Sequence, residues 1–261
     1  MKSIITYRDA DGGIVNFEAH TSLKSTLELA RYYAAEKNFP DRYVVYSDRR
    51  RRVKTSNAEV ELETESGIFM SCILRPSIFP SQASLLSAMS ATATAIALEE
   101  HTDSEIGIGW VSDIYCDGVK IGGVSIEGKL DNFTTYEYII VTFTLKTGKD
   151  SFPPRLTDMI KKVFESENTS VNMIIARNIL TKFFKFYASL KTPSKFMGEY
   201  IHKFALRGNK VKYFRDEKWH THRVLGVDPH TGALIIDNGR EPDIHVTSPT
   251  LISTPKKIKM K

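Results

Sequence analysis

Lys120 stands just ahead of a glycine pair, Gly122-Gly123, and behind Trp110 and Asp113, in the run Ile106-Gly107-Ile108-Gly109-Trp110-Val111-Ser112-Asp113-Ile114-Tyr115-Cys116-Asp117-Gly118-Val119-Lys120-Ile121-Gly122-Gly123-Val124. An ammonium is a compact point charge, suited to attracting a carboxylate and stabilising negative charge during acyl or phosphoryl transfer. Glycines beside it leave room for a ligand against the backbone. The competing reading is a strand lysine that points to solvent. A second feature is the hydroxyl pair Ser25-Thr26. Adjacent hydroxyls can serve the donors and acceptors of a polar head group, and they can equally cap a helix. A third is Arg49-Arg50-Arg51-Arg52 with Lys54, whose side chains can meet phosphate. His220-Thr221-His222 places two imidazoles on one strand face, but no third ligand accompanies them, so they read as surface histidines and no metal is expected.

The elements that must position these residues follow from periodicity. Ser3 to Tyr7 and Gly13 to Phe17 read as a hairpin. Leu29, Tyr32, Tyr33 and Ala34 recur at helical spacing after Ser25, until Asn38-Phe39-Pro40 stops the helix. Tyr43 to Ser47 and Gly67 to Leu74 are strands, and Ser81 to Glu100 is a helix whose many small residues suit burial against a sheet. Strands at Ile106 to Trp110, Ile114 to Cys116, Lys120 to Ile126 and Glu137 to Leu145 precede helices at Arg155 to Phe164 and Asn172 to Leu190. After Lys191-Thr192-Pro193 a connector leads to short strands from Gly208, the texture of a small barrel. The fold class is therefore α+β, a mixed sheet flanked by helices, with one unit over residues 1–206 and a small barrel over 207–261. A strand edge within Glu137 to Leu145 is expected to pair across a homodimer.

With 261 residues, 41% of them hydrophobic and 26% charged, the chain can bury a full core. Apolar runs such as Ile139 to Phe143 are far too short to cross a membrane, and Met1-Lys2-Ser3-Ile4 lacks the apolar core of a secretory signal, so a cytoplasmic protein is expected. Cys72 and Cys116 read as reduced core thiols. The net charge of +5 is concentrated in the Arg49 to Lys54 run and the tail Lys256-Lys257-Ile258-Lys259-Met260-Lys261, read as a solvated loop and a frayed end. Neither run interleaves aromatics with its cations, so DNA binding is not expected.

Several of these blocks, in order and at matching spacing, resemble the catalytic domain of biotin protein ligases, relatives of the lipoate ligases. Trp110, Asp113, Lys120 and Gly123 keep the spacing of the family's K-W-P-N-D, turn, K-x-x-G-I. Lys24-Ser25-Thr26-Leu27 is similar to its S-T-N head-group block, and Gly67-Ile68-Phe69-Met70-Ser71-Cys72-Ile73-Leu74-Arg75-Pro76 to its G-G-L-Y-x-S-x-x-L-R-P strand. The residues from Gly208 to Asp237 look like the SH3-like barrel that ends those enzymes. The resemblance implies biotin, ATP and Mg as ligands, a biotin carrier protein as acceptor and Lys120 at the reacting carboxylate. It further implies Ser25, Thr26, Trp110, Asp113, Gly122 and Gly123 around the ligand, with Arg50, Arg51, Arg52 and Lys54 near phosphate. No winged-helix segment precedes the domain, so direct operator binding is not expected.

Two blocks depart from the pattern. The family's glycine- and arginine-rich loop would fall at Arg50 to Glu59, where no glycine occurs. Backbone N–H groups can cradle phosphate only where the chain bends freely. The later G-I-G-I-N-x-N strand is here Val141-Thr142-Phe143-Thr144-Leu145-Lys146. Three functions stay open: a ligase that forms biotinyl-adenylate, a catalytically degenerate homologue that binds or regulates, and an ATP-independent acyl transferase, for which no nucleophile is evident.

Overall fold

In the computed structural model a turn at Asp11-Gly12, with Gly12 at φ 82°, joins β1 (Lys2–Arg8) to β2 (Ile14–His20) in antiparallel register. The structure describes residues 2–9, 11–56, 59–76, 78–131, 134–147, 170–239 and 241–260, with side chains at 52–63 and 81 excepted. The expected helix at Arg155 to Phe164 lies outside the described residues. Helix α1 (Thr26–Ala34) crosses from β2 to β3 (Tyr43–Ser56), which makes that pair parallel, because a two-residue turn cannot join parallel strands. Then come β4 (Glu59–Leu74), a 3-10 turn (Pro80–Gln82), α2 (Ala83–Glu99), β5 (Ile106–Gly109), β6 (Asp113–Cys116), β7 (Val119–Leu130) and β8 (Tyr136–Lys146). Helices α3 (Val171–Tyr187) and α4 (Ser194–His202) complete the larger part. The sheet order is β1-β2-β3-β4-β8-β7-β6-β5.

Period-two alternation assigns each strand's residues to two faces. Helix α1 covers Tyr43, Val45, Ile73 and Ile140 on one face. The larger core on the other face joins Val44, Tyr46, Met70, Val141 and Phe143 to α2, α3 and α4. Helix α2 is buried almost all round, and the hydroxyls of Ser90, Thr92 and Thr94 bond carbonyls four residues back at 2.7–2.8 Å, which lets polar side chains enter a core. Cys72 and Cys116 are free, buried thiols. Among the described residues no helix is long and apolar enough to cross a membrane.

From Lys210 the chain forms β9 (Lys210–Arg215), β10 (Lys218–Val227), β11 (Leu234–Ile236), β12 (Ile244–Val246) and β13 (Ile252–Ser253). They make a curled antiparallel sheet in the order β12-β11-β10-β9-β13. Gly232 and Gly239 turn at φ 72° and 74°.

Four expectations change. The strand over Glu137 to Leu145 is no edge: β8 pairs with β4 on one side and β7 on the other, so it cannot join a second copy. The Arg49 to Lys54 run is no loop but the outer half of a hairpin, in which Arg50 opposes Glu65, Arg52 opposes Glu63 and Lys54 opposes Glu61. The Arg50–Glu65 pair, opposite charges directly across the hairpin joined at 2.6 Å, favours that register. The connector contains α4, because Phe196, Met197 and Tyr200 bury one helical face. The tail is not frayed: Ile258 donates to the Gly118 carbonyl at 2.8 Å, the Lys256 carbonyl accepts from Lys120 at 2.9 Å, and Ile258 and Met260 pack on the core.

Candidate functional site

On the α1 face the strands change character where they run out from under the helix. Val45 gives way to Ser47 in β3, Ile73 to Ser71 in β4, and Ile140 to Thr142 and Thr144 in β8, each two residues along and so on the same face. Ser25 caps the near end of α1, its Oγ accepting from the Glu28 amide at 3.1 Å. Ser25, Thr26, Ser47, Thr142 and Thr144, with Ser125 of β7, Leu23, Leu27, Arg49, Arg50 and Phe69, line a cavity of about 170 Å³. Leu23 is tied to the hairpin by its amide to the Arg49 carbonyl (3.1 Å) and its carbonyl to the Arg51 amide (3.0 Å).

A chain of hydroxyls backs the cavity wall, with Ser71 joining the lining residues Thr26 and Thr142 from behind. Thr26 Oγ1 lies 2.9 Å from Ser71 Oγ, which lies 3.0 Å from Thr142 Oγ1, and all three residues are buried. Each hydroxyl donates once and accepts twice, so the chain can run in either direction and present a donor or an acceptor at its ends. Arg50 lies over the Phe69 ring, 4.8 Å from its centroid, with Nη2 bonded to Glu65 Oε2 at 2.6 Å. Its Nε is buried and has no hydrogen-bond partner among the described residues. A buried donor left unmet costs roughly 1–3 kcal/mol, which makes this N–H a place for an acceptor.

Lys120 is elsewhere. Its Nζ pairs with Asp113 Oδ1 at 2.7 Å, and Asp113 Oδ2 accepts from Thr254 Oγ1 of the tail at 2.5 Å. Trp110 is buried and its Nε1 donates to the Gly232 carbonyl at 2.8 Å, while Tyr115 donates to the Pro255 carbonyl at 2.6 Å. This cluster is a joint that holds the C-terminal sheet and tail to β5, β6 and β7. The space at Gly122 and Gly123 is taken by neighbouring strands: an added Cβ would meet the Thr144 carbonyl at 2.0 Å or the Ser112 carbonyl at 2.8 Å. Gly123 nonetheless sits opposite Thr144, one rung from the cavity.

No protein-family model matches the chain. It is 26% identical over 176 residues to the bifunctional ligase/repressor BirA of Bacillus subtilis, a match covering 66% of this chain and 54% of that protein. The counterpart from Bacillus spizizenii is 25% identical over 171 residues, covering 64% and 53%. The chain is a biotin protein ligase-like superfamily member. It spans about half the length of the curated relatives it matches. Among solved structures, the biotin protein ligase of Aquifex aeolicus in complex with biotin and ATP superimposes with a TM-score of 0.61 at 21% identity, covering 91% of this chain and 97% of that one. A biotin protein ligase-like protein of unknown function from Silicibacter gives 0.60 at 13% identity, covering 92% and 97%.

In this biotin protein ligase-like chain the residues singled out by sequence divide into two groups. Ser25, Thr26 and Arg50 meet at the cavity, whereas Lys120, Asp113 and Trp110 meet at the joint. Arg51 is exposed, and the side chains of Arg52 and Lys54 lie outside the described residues. Sequence reasoning passed over Ser47, Ser71, Ser125, Thr142 and Thr144. The signal was there: small hydroxyls at alternate positions that continue an apolar strand face. His220 and His222 lie 6.4 Å apart by ring centroids, and His222 Nδ1 bonds the Asp237 carbonyl at 2.8 Å.

Proposed function

We propose that the chain binds biotin or a related small acid in the hydroxyl cavity. The head group would lie against Thr26 and Thr142, whose hydroxyls Ser71 links from behind, with Arg50 as the cavity's cation. The observation that carries this reading is the buried, unpartnered Arg50 Nε beside hydroxyls that can donate or accept. A cyclic urea offers one strong acceptor and two N–H donors, and that set suits such a lining. In the same reading residues 1–206 are the ligand-binding unit and 207–261 an SH3-like barrel.

The wider activity would be ATP- and Mg-dependent formation of biotinyl-adenylate and transfer to a carrier-protein lysine. Arg49 and Arg51 have no carboxylate partner among the described residues and would meet phosphate through their side chains. Lys120 would exchange Asp113 for the reacting carboxylate. One observation favours a second reading, a ligand-binding protein that does not adenylate. From Arg49–Ser66 out to Ser56–Glu59, β3 and β4 pair with each other. Backbone N–H groups committed to a ladder cannot close over phosphate as a glycine-rich loop does.

Calorimetric titration with biotin, ATP–Mg and a non-hydrolysable biotinyl-adenylate analogue separates these. Biotin heat that disappears in Thr142→Val supports the cavity. Analogue binding tighter than biotin and weakened in Lys120→Ala supports ligation, and biotin binding without any response to ATP–Mg supports the second reading. Silence to biotin and to the analogue sinks both.

A further inference from the structure

The expectation against a nucleic-acid partner rested on the Arg49 to Lys54 run and the tail. The interleaving that those runs lack occurs in β9 and β10, Lys210-Val211-Lys212-Tyr213-Phe214-Arg215 and Lys218-Trp219-His220-Thr221-His222-Arg223. Register sorts these residues by face. Val211 is buried, Tyr213 packs against the core, and His222 and Val224 share their side, which faces inward. The alternate positions form the outer face, where Trp219 opposes Phe214, Thr221 opposes Lys212 and Arg223 opposes Lys210. All six are exposed, Trp219 at 51% and Phe214 at 37%, and the two rings lie 5.2 Å apart.

Two features make this face unlike ordinary surface. Two large aromatic rings paired across strands are left in water, where burial would be favourable, and such exposure marks an interaction site. Beside them Lys210, Lys212 and Arg223 have no carboxylate partner among the described residues. The acidic residues of this ribbon, Asp216 and Glu217, sit in its turn, and Arg215, which lies near Asp216 at 3.4 Å, is on the other face. The arrangement is a stacking platform followed by a row of cations. An acidic peptide would answer the cations and leave the rings unused. An intact duplex would answer the cations too, but its bases are already stacked. Unstacked bases on a phosphate backbone use both halves.

We propose that the outer face of the β9–β10 ribbon binds single-stranded nucleic acid, with bases on Trp219 and Phe214 and phosphates on Lys212, Lys210 and Arg223. This site is separate from the hydroxyl cavity and does not depend on what that cavity holds. Contact is to base faces and backbone, so little sequence preference is expected.

The test uses the full chain and fluorescence anisotropy with labelled oligo(dT), oligo(rU) and duplex DNA of about twelve residues, within the span that single-strand modules cover. Binding of either single strand more tightly than the duplex is expected, and which one binds better identifies DNA or RNA as the source. The logarithm of the association constant should fall with that of salt with a slope near −2, for three phosphate contacts at about −0.7 each. Trp219→Ala should weaken binding at least fivefold, Trp219→Phe should restore most of it, and Lys212→Gln should flatten the slope. These side chains are exposed, so near-ultraviolet circular dichroism should be unchanged except for the lost indole. Biotin titration of Trp219→Ala should match that of the parent chain. No binding at low salt, affinity unchanged in Trp219→Ala, equal preference for duplex, or equal competition by polyglutamate would overturn the proposal.

Discussion

The hydroxyl cavity and the Lys120 joint contain similar chemistry, cations beside polar oxygens, yet they differ in what is left over. At the joint both oxygens of Asp113 are engaged, by Lys120 and Thr254, and the Trp110 indole has its carbonyl. At the cavity a guanidinium N–H has no acceptor among the described residues and a hydroxyl chain has no fixed direction. Polar groups that satisfy one another hold structure together. Those left unmet on a cavity wall are where a ligand gains most, because the protein has already incurred their desolvation. A lysine at the right spacing is therefore weaker evidence for a site than an arginine with an unmet donor.

The comparison can be broken by showing that each region does the other's work. The largest effect should come from Trp110→Ala at the joint, which removes a buried indole and leaves the Gly232 carbonyl without its donor. A loss of about 3–5 kcal/mol in denaturant unfolding is expected, with biotin affinity retained in the folded fraction. Arg50→Ala should do the reverse. Affinity for biotin should drop by roughly tenfold or more, as for loss of a charged donor, while the denaturation midpoint moves little. If Trp110→Ala abolishes binding at full folding, or Arg50→Ala leaves the titration unchanged, the division fails.

Acid provides a sharper and smaller probe, through the far end of α1. Glu18 is buried between β2 and α1 and accepts from Tyr43 (2.5 Å), His20 (2.6 Å), Lys2 (3.0 Å) and Tyr33 of α1 (3.2 Å). Burial alone would raise its pKa, but the hydrogen bonds from Tyr43, His20 and Lys2 outweigh that and hold it below the ordinary glutamate range. A depressed carboxyl contributes stability that is complete above its unfolded pKa, near 4.3, and is lost as pH falls through the folded value. Unfolding monitored between about pH 6 and pH 3 should show that loss, and Glu18→Gln should be less stable at neutral pH and flatter toward acid. Equal slopes for the two proteins would remove Glu18 from the account. The smallest effect is expected from Asp113→Asn. Its partner Lys120 has a third of its side chain exposed, so the pair should contribute less than about 1 kcal/mol, measured by the shift in denaturant midpoint.

Much of this was readable in one dimension. Helix α1 and its Ser25 cap, the core helix α2 and the strand pairs around Asp117-Gly118 are local patterns, set by periodicity, capping and turn residues within a few positions of each other. The identity of the scaffold was likewise carried by short blocks, because spacing within a strand and turn survives as sequence. What failed were statements about partners far along the chain. Glu137 to Leu145 has the composition of an edge strand or a central one alike, and only its pairing with both β4 and β7 decides. The basic run read as a loop because its acidic counterparts, Glu61 to Glu65, are informative only once the hairpin sets them opposite.

The sequence by itself determined most of the helices and strands, α4 and the outer half of the β3–β4 hairpin excepted, and which faces would be apolar, since those depend on side chains two to four positions apart. Tertiary structure decided which polar residues share a wall. Thr26, Ser71 and Thr142 come from three separated elements, and their hydroxyls meet only because β4 and β8 lie side by side against the N-terminal end of α1. The same long-range packing took Lys120, read from sequence as a lone charge awaiting a ligand, and gave it Asp113 and a C-terminal tail instead.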